Sequence, residues 1–165
     1  MQLKFDWLIV LENLRRGITV TDSNLEGPAG PRILYVNRAW MKMTGYDRED
    51  IRGKTPRLLQ GRHSDRAVLR EMKSKLRNRE AFEGQTWNYR KSGEPFLVQI
   101  YCYPIYGERG APIYYVAEQE DITPVECLRM RQRLQAHPDD AEALRFFAVL
   151  AEARRSRSGC GPTPR

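Results

Sequence analysis

Two carboxamide side chains, those of Asn88 and Gln119, are predicted to point into the protein from two different β-strands. Side chains alternate between the two faces of a strand, and the residues that share a face with these two are largely apolar. A buried amide needs hydrogen-bond partners, and it offers both a donor and an acceptor. The pair, with Gln60 from the helical region, could therefore bind a ligand edge on which donors and acceptors alternate. The alternative is that each amide only ties down neighbouring backbone.

Basic residues close to these amides could bind an anionic group. Lys73 and Arg77 are four residues apart, so they share one face of a predicted helix, and Arg57 follows the turn at Thr55-Pro56. Such side chains bind phosphate through charge-assisted hydrogen bonds. A solvated basic helix face is the alternative for each of them.

Hydrophobic periodicity predicts the elements that must position these residues. In chain order they are two strands, two short helical turns, one longer helix and three strands (18–22, 32–36, 38–44, 47–51, a helix opening at 64–65, 82–89, 95–104 and 111–122). We expect an α+β fold with one five-stranded antiparallel sheet and helices on one face.

Helical segments are predicted on both sides of this domain. The chain divides into an N-terminal cap helix, a central domain, a C-terminal helical extension and a disordered tail (1–16, 17–123, 124–155 and 156–165). The last helix carries more apolar residues than an isolated helix would (Ala141, Leu144, Phe147, Ala148, Leu150 and Ala151). We expect this stripe to be covered by the outer face of the sheet or by a second copy of the chain.

Composition narrows the class of protein. The chain has 165 residues and a net charge of +7, with acidic residues interspersed among the arginines of its helices. No nucleic-acid-binding motif accompanies that charge, so nucleic acid is not an expected partner. No apolar run approaches the length of a membrane span, and the N-terminus does not read as a secretory signal. We therefore expect a cytoplasmic protein with no membrane association.

No arrangement of nucleophile, base or metal ligands is apparent in the sequence. The two histidines, His63 and His137, lie in a loop and in a helix break. The three cysteines are far apart and form neither a CxxC pair nor a disulfide framework. We expect no catalytic residues, no metal site and no enzymatic activity.

Several motifs occur in order along residues 17–123. They are Asn37, Thr44-Gly45-Tyr46, Gly53 to Gly61, Asn88 to Gly93 and Gln119 to Thr123. Together with the order of elements, they resemble a PAS domain and, more narrowly, its light-oxygen-voltage (LOV) branch, which binds FMN. The resemblance implies the PAS fold and an FMN cofactor, with FAD or no cofactor as alternatives.

The photochemical motif of that family reads Gly-x-Asn-Cys-Arg-Phe-Leu-Gln-Gly, and residues 53–61 depart from it at Thr55, Pro56 and Leu58. The family's light reaction needs a thiol over the flavin ring, and proline has none. The resemblance therefore implies a LOV domain without cysteinyl-adduct chemistry. Cys102 also points inwards, but we expect it beside the ring edge.

The remaining cofactor contacts are also carried over from the family. Arg57 and Gln60 would reach the phosphate and ribityl side, and Lys73 replaces a phosphate-binding arginine, with Arg77 one turn further on. Asn88 would contact the ring, and Gln119 would contact N5 and O4. A second ring asparagine falls at Val98, and its loss removes hydrogen bonds worth about 1–3 kcal/mol. The predicted binding set is completed by Thr21, Asn37, Thr55, Pro56 and Ile100.

Two functions remain open from the sequence. The first is an FMN-binding light or redox sensor in which Gln119 reorients its amide and the terminal helices pass the change to a homodimer or a downstream signalling protein. The second is a cofactor-free PAS module for dimerisation or protein interaction. About forty residues follow residue 123, which we expect to be too few for an enzymatic output domain.

Overall fold

The computed structural model describes residues 6–27 and 30–158. Its helices are α1 (Trp7–Asn13), α2 (Arg38–Thr44), α3 (Arg48–Ile51), α4 (Arg66–Arg77), α5 (Thr123–Ala136) and α6 (Ala141–Ser158). Its strands are β1 (Gly17–Asp22), β2 (Ile33–Val36), β3 (Phe82–Tyr89), β4 (Pro95–Tyr106) and β5 (Pro112–Asp121), and a 3₁₀ turn spans Pro56–Leu59.

The five strands form one antiparallel sheet in the order β2-β1-β5-β4-β3. The predicted α+β fold is thus confirmed. The first and last strands of the domain pair in the middle of the sheet, where Gly17 lies opposite Gln119 and Thr19 opposite Ala117. This pairing places the side chains of β1 beside the predicted carboxamide of β5.

Local capping explains where the short helices begin and end. Asp47 forms a capping box with Asp50 at the start of α3, and the Asp65 side chain accepts hydrogen bonds from the first turn of α4. Helix α2 ends at Gly45, whose φ of 76° is left-handed and suits a residue without a Cβ. These caps position α4 along the inner face of the sheet.

The inner face of the sheet carries the core of the domain. The predicted inward side chains of β4 are all buried, and they join residues of α4, β3 and β5 (Leu76, Phe82, Phe96, Val98, Ile100, Cys102 and Tyr115). A second cluster surrounds Trp40 beneath β2, α2 and α3. Burial also alternates along β3, as the inward orientation predicted for Asn88 requires.

The outer face of the sheet is partly covered by α5 and α6, which form the predicted C-terminal helical extension. Met130, Ala143 and Phe146 pack on Trp87 and Leu97. The rings of Trp87 and Phe146 are 5.3 Å apart. Of the two covers proposed for the last helix, the sheet is the one that the structure shows.

The rotation of α6 differs from the prediction by about one position. Ala143 and Phe146 are buried, whereas Leu144 and Ala148 of the predicted stripe are exposed. Helix α6 also runs to Ser158, so the first three residues of the predicted disordered tail are helical. Residues 159–165 lie outside the described ranges. None of the described helices combines the length and apolarity that a membrane crossing requires.

Candidate functional site

A cavity of about 480 Å³ lies between the inner face of the sheet, α4, the 3₁₀ turn and the connection from β1 to β2. This volume falls within the range of about 300–1,000 Å³ that is usual for small-molecule sites. Nine of the twelve predicted binding residues line it: Thr21, Thr55, Pro56, Arg57, Gln60, Lys73, Asn88, Ile100 and Gln119. The structure thus brings these nine residues together around one cavity, and the other three, Asn37, Arg77 and Val98, lie elsewhere.

Gln119 lines the cavity and carries an unpaired oxygen. The residue is 5% exposed, and its Nε2 donates a hydrogen bond of 3.0 Å to Thr19 Oγ1. Its Oε1 is buried and accepts no hydrogen bond from the described residues. A buried carbonyl left unpaired costs about 1–3 kcal/mol.

Asn88 lines the cavity from the other side of β4. Its side chain is buried, and within the described ranges it makes no hydrogen bond. Register places Asn88 opposite Phe96, and Gln119 opposite Ile100. Two amides from β3 and β5 therefore flank an apolar surface formed by β4, which suits a flat ligand with a polar edge.

Four basic side chains line the same cavity: Arg57, Arg66, Arg70 and Lys73. Arg66 Nη1 donates to Gln60 Oε1 at 3.0 Å and so orients that predicted amide. Sequence reasoning missed Arg66 and Arg70. The signal was present, because residues 66, 70 and 73 follow the spacing of a single helix face.

Asn37 does not line the cavity, and its predicted role as a cofactor contact was wrong. It is fully buried, and its Oδ1 accepts hydrogen bonds of 2.9 Å from the backbone N–H of both Ile18 and Trp40. Its Nδ2 donates to the carbonyls of Leu11 and Arg16. Asn37 therefore caps α2 and fastens it to β1 and α1, which leaves no group for a ligand.

Val98 and Arg77 were also wrongly placed in the binding set. Val98 is fully buried in the core and does not line the cavity. Arg77 lies outside the lining because its guanidinium pairs with Glu26 through Nε and Nη2. Of the two predicted cations on α4, only Lys73 faces the cavity.

Two residues of the cavity lining, Pro56 and Cys102, bear on whether the cavity contains a reactive thiol. Pro56 begins the 3₁₀ turn and lines the cavity. Cys102 lines it from β4, and burial raises the pKa of its thiol to about 12. That thiol is protonated at neutral pH and is a poor nucleophile.

The strand that carries Gln119 leads directly into α5. Asp121 Oδ1 accepts from the backbone N–H of Thr123 at 2.9 Å, and the other carboxylate oxygen pairs with Arg90. Thr123 Oγ1 in turn accepts from the backbone N–H of Leu97 at 2.8 Å. Hydrogen bonds thus connect the end of the cavity strand to the first turn of the C-terminal helices.

Comparison with known proteins supports this description. A family model described as a PAS domain matches residues 16–124. The chain is 36% identical over 103 residues to blue-light-activated histidine kinase 1 of Erythrobacter litoralis, a match that covers 62% of this chain and 29% of the kinase. It is 32% identical over 124 residues to Protein TWIN LOV 1 of Arabidopsis thaliana, covering 74% of this chain and 30% of that protein. The chain thus spans less than a third of the length of these relatives.

Solved structures agree. The LOV domain of the Erythrobacter litoralis EL346 blue-light-activated histidine kinase is 31% identical, with a TM-score of 0.61 over 67% of this chain and 99% of that one. An RNA-binding light-oxygen-voltage receptor is 21% identical, with a TM-score of 0.65 over 83% of this chain and 42% of that one, and it shares the fold. The chain therefore belongs to the PAS domain family, and within it to the LOV type.

Proposed function

We propose that the cavity binds flavin mononucleotide, and that the protein is a light or redox sensor that works without a cysteinyl adduct. The observation that carries this proposal is the buried, unpaired Oε1 of Gln119, a residue that lines the same cavity as the amide of Asn88. The relatives described above as blue-light-activated proteins support the same ligand class.

The residues present fit such a cofactor. Asn88 and Gln119 would hold the polar edge of the ring, while Ile100 and other apolar residues of the cavity would contact its faces. Gln60 would face the ribityl chain, and Arg57, Arg70 and Lys73 would bind the phosphate. A bound flavin would supply absorption of blue light and the capacity to accept electrons.

Gln119 would act as the switch of this sensor. The two ends of its amide are inequivalent, so a facing group that changes from acceptor to donor favours the reversed orientation. The Thr19 hydroxyl, at 3.0 Å, can either accept or donate a hydrogen bond. Gln119 can therefore keep this partner in either orientation, so the amide has two stable orientations. A change from one to the other would act on β5, the strand that carries it.

Pro56 would restrict the sensor to this switch. It brings no thiol to the cavity, and Cys102 is held as the protonated thiol by burial. The sensory response would therefore depend on hydrogen bonding around Gln119. A change there would reach α5 through the hydrogen bond between Asp121 and Thr123.

The terminal helices would provide the output surface, as a homodimer or with a downstream signalling protein. Helix α5 exposes Val125 and Leu128, at 68% and 62%, although α6 packs largely on the protein's own sheet. Helix α1 exposes further apolar residues (Trp7, Leu8 and Ile9). Exposed apolar clusters of this kind mark protein–protein contacts.

A double variant tests this output surface. Val125→Glu combined with Leu128→Glu should convert a dimer to a monomer in sedimentation analysis. Leu34→Glu is the matched control, since Leu34 is exposed on β2 and not on a terminal helix. An unchanged mass for the double variant would exclude α5 from the interface.

The flavin proposal is tested by identifying the ligand. Denaturing the purified protein should release FMN, identified by mass spectrometry. Ligand-free protein should then take up one FMN per chain in a fluorescence titration. Failure of both measurements would leave the cofactor-free interaction module as the function.

A further inference from the structure

An ion pair joins two walls of the cavity at one end. Leu25, on the connection after β1, and Leu76, on α4, both line the cavity. The residues that follow them in the chain, Glu26 and Arg77, are paired with each other. Glu26 Oε2 accepts from Arg77 Nη2 at 2.5 Å, and Oε1 accepts from Arg77 Nε. The contact is therefore bidentate, which is the geometry in which an exposed ion pair is most effective.

The other hydrogen bonds of residues 22–27 shape this segment without tying it to α4. Asp22 Oδ1 accepts from the backbone N–H groups of Asn24 and Arg32, each at 3.1 Å. Asn24 Oδ1 accepts from the backbone N–H of Gly27 at 2.8 Å. Within the described ranges, the polar contacts between residues 22–27 and α4 come from Glu26, to Arg77 and, at 3.9 Å, to Lys73.

We infer that the Glu26–Arg77 pair fastens Leu25 against Leu76 and sets how often this end of the cavity opens. Flavin enters this inference only as the ligand of the proposed function, since the pair would control access for any small molecule. The hydrogen bond from Arg77 lowers the pKa of the Glu26 carboxyl, so the pair is charged at neutral pH. The Arg77 side chain is 50% exposed and the Glu26 side chain is 66% exposed, so salt should weaken the attraction between them.

Cys102 provides a reporter of opening that does not need a cofactor. It lines the cavity and belongs to the core cluster against which Leu25 and Leu76 pack. With Cys127 and Cys160 replaced by serine, N-ethylmaleimide labelling of the full chain reports access to Cys102. Glu26→Gln and Arg77→Gln should each raise the labelling rate about fivefold at low salt. The double variant should label no faster than Glu26→Gln, because that substitution already removes the contact with Arg77.

The matched control is Lys75→Gln, which removes a cation from the same helix that pairs with Glu71 and does not line the cavity. It should leave the labelling rate unchanged. In 1 M NaCl, the labelling rate of the protein with the intact ion pair should rise close to that of the variants. Equal rates in all five proteins, or additive effects of the two substitutions, would overturn the inference.

Riboflavin dissociation gives a second readout, since riboflavin lacks the phosphate and does not report on the phosphate-binding cations. In Glu26→Gln and Arg77→Gln, riboflavin release should be accelerated by the same factor as the labelling of Cys102. Faster labelling in a protein that binds neither FMN nor riboflavin would support the ion-pair inference and refute the proposed function. Flavin binding with unchanged labelling would support the proposed function and refute the ion-pair inference.

Discussion

The Nε2 of Gln119 donates a hydrogen bond of 3.0 Å to the hydroxyl of Thr19, across the pairing of β5 with β1. The other end of the amide, Oε1, is buried and accepts no hydrogen bond from the described residues. Because the Thr19 hydroxyl can accept or donate, the Gln119 amide can meet either an acceptor or a donor of a ligand in the cavity that it lines.

Replacing Gln119 by leucine should separate binding from stability. Gln119→Leu removes the unpaired oxygen but also deprives Thr19 of its partner, so the free energy of unfolding of the flavin-free protein should change by less than about 1 kcal/mol. FMN binding should weaken by about 1–3 kcal/mol, because a polar atom at the ring edge loses its hydrogen-bond partner. Urea unfolding and fluorescence titration measure the two quantities.

Gln99→Leu is the control for this substitution. Gln99 lies on the neighbouring strand β4, is also buried, and bonds Gln85 on the outer face of the sheet. It does not line the cavity, so FMN affinity should be unchanged. If the two substitutions weaken FMN binding equally, Gln119 is not a ligand contact.

Arg70→Gln should discriminate between flavins. Arg70 lines the cavity, and within residues 6–27 and 30–158 it pairs with no acidic side chain. Losing a charge-assisted contact to phosphate should weaken FMN binding about tenfold and leave riboflavin binding unchanged. Arg38→Gln, on α2 and 80% exposed, removes the same charge away from the cavity and should have no effect on either flavin. An equal loss for both flavins would show that Arg70 does not bind phosphate.

Pro56→Cys should introduce cysteinyl-adduct chemistry into the proposed flavin site. Position 56 lines the cavity, and a cysteine there would bring a thiol to the place where the LOV family has one. Blue light should then cause a reversible loss of the visible absorption band, which Pro56→Ser should not show. The loss of proline at the start of the 3₁₀ turn should lower the free energy of unfolding by about 0.5–1 kcal/mol. Identical light responses in both variants would place residue 56 away from the ring.

The buried thiol of Cys102 should make the free energy of unfolding fall at high pH. Burial raises the pKa of its thiol from 9.0 to about 12. Because the folded state holds the proton more tightly, its contribution is complete below pH 9 and is lost as the pH rises towards 12. Between pH 8 and 10.5, the free energy of unfolding should fall by about 2 kcal/mol more than in Cys102→Ala. A parallel fall in the two proteins would mean that the thiol is not buried.

Strand alternation and capping made much of this fold predictable from the sequence. Asn88 and Gln119 point inwards because the period of a strand is two residues, and one correct position orients the whole strand. Asp47 and Asp65 begin their helices through local hydrogen bonds. These features depend on neighbours in the chain, so the sequence carries them directly.

The errors come from contacts between distant segments. Arg77 was predicted to bind phosphate, but Glu26, 51 residues away, holds it outside the cavity. The rotation of α6 is set by the contact of Phe146 with Trp87, which periodicity alone does not reveal. Asn37 was the avoidable error, since an asparagine directly before a helix is a common N-cap.

The most direct test is the visible absorption spectrum of freshly purified protein, recorded in the dark and after blue illumination. We predict the spectrum of a bound flavin. Blue light should not cause the reversible loss of the visible band that is expected for Pro56→Cys. A colourless protein that also fails to take up added FMN would contradict this prediction.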